Sequence, residues 1–208
     1  MYKTHFFTRT RSHSLLLLIA ALLAACNTSK PMQQLDFGAP IMEVKDVTPG
    51  PTRTLNIVLA HIEVPANLDG NAMLYRLAYD NAQALQAYAN SNWSVPPAQL
   101  LAQQLKHMGA SRGVNIVNQQ DGVKNLPQLR LELVEFSQVF SSAEQSQATV
   151  IFRASLVKQH HLIAQRLFSG KAAAGANAQS GARAMHIASQ DALQQLIAWI
   201  NASDFSDR

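Results

Sequence analysis

The sequence predicts an α+β fold, a mostly antiparallel twisted sheet with two amphipathic helices packed on one face. Three runs between residues 128 and 172 are apolar-rich and joined by short polar connectors, the signature of an antiparallel meander. In the middle run, Gln147 to Lys158, Ala148, Val150, Phe152, Ala154 and Leu156 share one face while Thr149, Arg153 and Ser155 share the other, a period of two. Two other stretches, one opening at Pro96-Pro97 and one closing near Asn201, repeat their apolar residues at helical spacing instead. About 155 residues from Leu55 onward is a normal size for one domain with a single core.

Along the chain, Lys3, Arg9 and Arg11 precede an apolar run from Leu15 to Leu23, and the small residues Ala24 and Ala25 lead into Cys26. The run falls short of the roughly 20 apolar residues of a permanent membrane helix. A positive flank, a short apolar core and a small-residue cleavage site form an export signal spanning residues 1–25. Leu23-Ala24-Ala25-Cys26 resembles the bacterial lipobox, in which the thiol takes a diacylglyceryl group, the signal is cut before the cysteine, and the new amino group is acylated. An ordinary secretory signal with an incidental cysteine is the alternative, but this is the only cysteine in the chain and it stands where the motif requires one. A lone cysteine also excludes an intramolecular disulfide, so the fold must rest on packing. Two or three acyl chains hold a protein firmly to a bilayer where one does not. Asn27 follows the cysteine, where retention at the inner membrane usually requires aspartate, so the expected destination is the periplasmic face of the outer membrane. The cofactor expectation is none beyond the covalent diacylglycerol and N-acyl lipid on Cys26.

Loss of the signal changes the charge. The chain has 17 Lys+Arg and 13 Asp+Glu; Lys3, Arg9 and Arg11 leave with residues 1–25 and no acid does, leaving 14 against 13. Arg130, Arg153, Lys158 and Arg166 are interspersed with acids and apolar residues, which argues against the cationic cluster that nucleic acid requires. Residues 26–53, with Pro31, Pro40, Pro49, Pro51, Gly38 and Gly50, show no sustained periodicity and read as a lipidated tether. Extended at about 3.3 Å per residue, it would hold a domain of residues 54–208 several tens of ångströms from the bilayer.

That domain opens with a strand from Leu55 to Val64, ended by Pro65. A turn at Asp69-Gly70-Asn71, a strand from Ala72 to Leu77 and a short strand from Leu85 to Tyr88 follow. Pro96 and Pro97 suit a first helical turn, and the helix after them puts Leu100, Leu101, Leu105 and Met108 on one face, with Gln103, Gln104 and Lys106 largely off it and Gly109 and Gly113 as stops. Val114 to Val117 is a strand and Asp121-Gly122 a turn. Within Gln128 to Phe140, Leu129, Leu131 and Leu133 share a face before the apolar phase switches to Val134 and Phe136, which predicts a bulge or strong twist. A third run covers Leu162 to Ala172. The closing helix, Ala178 to Asn201, repeats Met185, Ala188, Ala192, Leu196 and Trp199, with Ile187, Leu193, Ile197 and Ile200 widening the stripe. Strand order stays open: the early strands could instead pair in parallel with the middle ones across the first helix.

Catalytic motifs are missing. No nucleophile elbow, phosphate loop, dinucleotide fingerprint or carboxylate pair is present. Of seven histidines, the adjacent His160-His161 reads as a solvated turn, because a zinc site needs three or four converging ligands. His61 and His186, on a strand and a helix, suit core or surface roles. The expectation is therefore no enzyme, no metal site and a role in binding or assembly.

The string Leu55 to Val64 with Pro65 and Leu68-Asp69, Met73-Leu74-Tyr75-Arg76, Leu85 to Tyr88, Trp93 with Pro96-Pro97 and Leu100-Leu101, and Leu196 to Ile200 resembles the ABC-type transport auxiliary lipoproteins, the PqiC-like group. Its most specific part is the tyrosine, tryptophan and double proline ahead of an amphipathic helix; Asn92 departs from the arginine often found before the tryptophan. The resemblance implies an accessory part of an envelope transport system for lipid or another hydrophobic molecule. An MCE protein spanning the periplasm works there with a membrane permease and ATPase. This chain would be the outer-membrane end, docking the MCE protein, with a homo-oligomeric ring as one arrangement. Tyr75 and Trp93 would then either contact the partner or lock the strand-to-helix corner with Pro96 and Pro97. From another class, a lipoprotein chaperone or plug would bind a hydrophobic ligand or a barrel partner directly.

Overall fold

A computed structural model describes residues 31–38, 54–203 and 205 of the chain. The expected export signal, with Leu23, Ala24, Ala25 and Cys26, lies outside the described residues.

The alternating runs form the spine of the fold. β6 (Gln128–Phe140), β7 (Ser146–Lys158) and β8 (His161–Ala174) make an antiparallel meander. The β7 residues Ala148, Val150, Phe152, Ala154 and Leu156 are all buried on its inner face. Gln159 and His160 join β7 to β8 with φ of 47° and 68°; two consecutive left-handed residues match the twist of the flanking strands. The register between β6 and β7 slips between Leu133 and Glu135, and Val134, the extra residue, points to solvent. This bulge lets Leu133 and Phe136 both face inward despite their odd spacing.

The other edge of β6 is shared. β2 (Leu55–Leu59) pairs with its start and β3 (Ala72–Leu77) with its end, both in parallel. β2 also pairs in parallel with β5 (Val114–Asn118), whereas β3 pairs antiparallel with β4 (Leu85–Trp93). Finally β1 (Gln33–Leu35) lies parallel to the end of β4. The sheet has eight strands among the described residues, and four of its seven pairings are parallel, so it is mixed rather than mostly antiparallel. Short connectors force antiparallel neighbours only within β3–β4 and β6–β7–β8; the long excursions between β2 and β5 and between β3 and β6 return the chain in its original direction. The first strand stops at Leu59 rather than Val64, and contact with β6 resumes as an isolated bridge between Glu63 and Glu132.

Helices cover one face. α1 (Ala78–Asn81) is a single turn joining β3 to β4 that the sequence pattern does not announce. α2 (Pro97–Ala110) carries Pro97 in its first turn and packs over β5; α3 (Ala178–Ala202) lies over β6, β7 and β8 and touches α2. The Asn177 side chain caps α3 by accepting from the Ser180 N–H at 2.8 Å. Of the expected row, Met185, Ala188, Ala192 and Leu196 are buried and Trp199 is only half-buried, with Ile200 beside it taking the buried position. Ile187 is instead 55% exposed, because it sits one position off that row. Gln104, placed off the apolar face by its polarity, is only 9% exposed, because it stands one turn from both Leu100 and Met108. Among the described residues no helix is long and apolar enough to cross a membrane.

Candidate functional site

Two aromatic clusters gather the residues that the sequence singles out. The first is the corner between β4 and α2. Pro96, extended at φ −54° and ψ 147°, turns the chain into the helix that begins at Pro97. The Trp93 N–H donates to Asn71 O at 2.7 Å, and the Ser94 N–H to Leu35 O at 2.7 Å, tying the corner to the β3 entry and to β1. The indole is 1% exposed. It meets Phe136 edge-on at 5.5 Å and Phe37 edge-on at 6.0 Å, and Phe37 also stands edge-on to His186 at 5.2 Å. Such contacts add to area burial. Trp93, Pro96 and Pro97 thus meet the rest of the domain, and the indole has no surface left to offer.

Leu35 and Phe37 are what sequence reasoning misses, since they fall within the stretch expected to be a tether. The available signal was small: Leu35 and Phe37 alternate with Gln34 and Asp36, two apolar residues of one face amid prolines and glycines.

The second cluster is built on Tyr75 of β3 and Tyr88 of β4, whose rings lie 4.7 Å apart. Tyr75 donates its hydroxyl to Gln86 Oε1 at 2.7 Å. Tyr88 donates to Oε1 of the fully buried Gln138 at 2.9 Å, while Gln138 Nε2 donates to Ser146 Oγ at 2.7 Å and to Gly175 O at 2.9 Å. One amide therefore joins β4, β6, β7 and the approach to α3. Gly181, in the first turn of α3, makes room for it: a Cβ there would lie 1.9 Å from Gln138 Oε1. Burial first, and Tyr75 second, push the Tyr88 phenol up to about 12, so it stays protonated and acts as a donor at neutral pH. The half-exposed Tyr75 ring is left as contact surface at this end of the sheet, where Tyr79 is 51% exposed. Gln138→Leu is expected to strand the Tyr88 hydroxyl, costing about 2 kcal/mol, while Ser146 Oγ still donates to Ala174 O and Gly175 O still accepts the Asn177 N–H. A thermal melt should show Tm falling by roughly 4–8 °C.

On the sheet face away from the helices, Arg76 meets Glu135 at 3.3 Å and Arg153 pairs with Glu132. His160 and His161 are exposed at the β7–β8 hairpin and His61 is exposed after β2. Among the described residues no three His, Cys, Asp or Glu side chains come together as a metal site would require.

The family model described as the ABC-type transport auxiliary lipoprotein component matches residues 40–201. Among solved structures, a Xanthomonas campestris protein assigned to the DUF330 family is similar at 15% identity, over 82% of this chain and 92% of its own, with a TM-score of 0.64. An uncharacterized protein of known structure matches at 17% identity, over 73% of this chain and 93% of its own, with a TM-score of 0.57. Likeness at this identity speaks to the fold. Among curated proteins none matches the chain.

Proposed function

Because the chain belongs to the family of ABC-type transport auxiliary lipoprotein components, we propose that it is the outer-membrane-anchored, periplasmic accessory of an MCE-type transport system. It docks the MCE protein so that lipid or another hydrophobic molecule passes between the membranes. The observation that carries this reading is the family match across residues 40–201. The lipobox supplies the anchor in this reading, with diacylglyceryl and N-acyl chains on Cys26, and Asn27 directs the product outward. Energy for transport comes from the partner ATPase, since this chain has no phosphate-cradling loop.

Within the domain, docking falls to the end of the sheet bearing the half-buried Tyr75 and the exposed Tyr79. The competing chaperone or plug, with a ligand held between helices and sheet, finds no gap where α3 crosses β8. A Cβ on Gly170 would lie 1.9 Å from the Ala188 carbonyl oxygen, so helix backbone rests directly on strand backbone.

A photo-crosslinking amino acid at Tyr79, in cells making the full chain, is expected to capture the MCE protein. The same probe at Leu162, exposed on the β7–β8 hairpin, is the control and should not. Cys26→Ser should in addition abolish lipid labelling and release the protein from the membrane fraction. Recovery of no MCE protein from either position, or from a pulldown of whole envelopes, would sink the docking reading.

A further inference from the structure

β8 is a terminal strand: among the described residues it pairs with β7 and with no other strand. It runs for 14 residues, whereas the strands at the sheet's other ends, β1 and β5, run for 3 and 5. Natural sheets keep their edges short or blunt them with prolines and bulges, because a free edge is a template for another strand. β8 has no proline, and its register against β7 is unbroken from Ala164 to Ala174. The ladder fixes where its free groups point. The Leu129 and Leu131 carbonyls accept the Ala60 and Glu63 N–H groups at 2.9 Å, so the residues between and after them, Arg130 and Glu132, face β7 opposite Ser155 and Arg153. Ala154 and Phe152 then face β8, opposite Arg166 and Phe168. That leaves Gln165, Leu167, Ser169, Lys171 and Ala173 with their N–H and C=O groups turned outward. Of these groups only the Ser169 carbonyl has a partner among the described residues, Gln195 Nε2 at 3.1 Å.

We propose that this edge takes up an extended acidic segment of another protein as an added antiparallel strand, with carboxylates of the segment meeting Arg166 and Lys171. The segment's backbone supplies the missing hydrogen-bond partners, and the side chains along the edge select it. β8 carries no Asp or Glu, and its Arg166 and Lys171 are both exposed and make no ion pair among the described residues. The helix above contributes one acid, Asp191. Arg166 lies over the Phe168 ring at 5.5 Å and so on the face toward α3, while Lys171 shares the opposite face with Leu167, which is 55% exposed. An antiparallel strand meets Lys171, then Leu167, then Arg166, so the matching segment reads acid-x-x-x-apolar-acid. The same cations disfavour a second copy of this chain. Pairing of β8 with itself would line one seam with Arg166 and Lys171 of both strands, and like charges across a ladder repel. The site lies along the edge of the sheet rather than at its Tyr75 and Tyr79 end, and it does not rest on the docking reading.

The test titrates fluorescent peptides into the full chain in non-ionic detergent micelles at pH 7, with empty micelles as the blank. The acidic probe is acetyl-TTETSTVET-amide, and its counterpart carries lysine in place of both glutamates. The acidic peptide is expected to bind about tenfold tighter, because two exposed ion pairs replace two like-charge contacts. N-methylation at its third, fifth and seventh residues, whose N–H groups enter the ladder, should abolish binding. Methylation at the fourth and sixth, whose N–H groups point away, should change it by no more than about twofold. Arg166→Glu combined with Lys171→Glu should reverse the preference in favour of the lysine peptide. No binding of the acidic peptide to the natural protein, equal or tighter binding of the lysine peptide, or equal effects of the two methylation patterns would each overturn the proposal. So would a dimer of the full chain, seen by light scattering and dissolved by Leu167→Pro, since a second copy would then hold the edge. The comparison of peptides on the natural protein stands whatever the variants do to stability.

Discussion

Gly170→Ala is expected to lower Tm by roughly 6–12 °C, an effect out of proportion to one added methyl group. In β8 the missing side chain points at α3. A Cβ there would lie 1.9 Å from the carbonyl oxygen of Ala188, 2.9 Å from its carbonyl carbon and 3.0 Å from the nitrogen of Ala192. All three are backbone atoms, so no side chain can swing aside and the helix itself must lift. Lifting it separates Ala188, Ala192 and Leu193, each fully buried, from the strands beneath. Overpacking of this kind costs about 3 kcal/mol, which at about 2–4 °C per kcal/mol for a domain of this size gives the stated loss. Gly70→Ala serves as the control, because nothing lies within 4 Å of its Cβ position and the melt should scarcely move. A Gly170→Ala protein melting with the natural one would mean that α3 does not sit on β8 as described.

Trp93→Ala should be comparably damaging for the opposite reason. Removing an indole that is 1% exposed leaves a void between Phe37, Phe136 and the β4–α2 corner. Aromatic-to-alanine changes in cores cost about 3–5 kcal/mol, or roughly 6–20 °C of Tm here. The same variant decides what the tryptophan is for. If it acts by packing, capture of the MCE protein through the Tyr79 position, measured well below the lowered Tm, should match that of the natural chain. A lost crosslink with an unchanged melt would make Trp93 a docking anchor instead.

The faces of the strands were legible in the sequence because burial on one side leaves a period of two, and even the Val134 bulge left its mark as a change of phase. Partners were not legible. Alternation says which way Leu129 or Ile57 points, but not that β2 and β3 share one edge of β6 in parallel, since that depends on where long excursions bring the chain back. Single residues misled where polarity stood in for position. Gln104 reads as surface by its amide yet lies on the Leu100–Met108 row, and Ile187 reads as core by its side chain yet lies off the Ala188 row. Leu35 and Phe37, too, stayed hidden, because the segment that carries them looked like linker. A three-residue strand has almost no intrinsic preference to display, and β1 exists because Ser91, Asn92 and Trp93 offer it an edge to pair with.

That small strand also sets a leash. If chain from Gln33 onward is stitched into the sheet, only the seven steps from Cys26 are left to reach the acyl anchor, a span of about 25 Å when fully stretched. With the lipids on Cys26 as proposed, Gln33 can stand no farther than that from the acyl anchor, and whatever docks must come within the reach this allows. Residues inserted between Asn27 and Met32 would pay out more line.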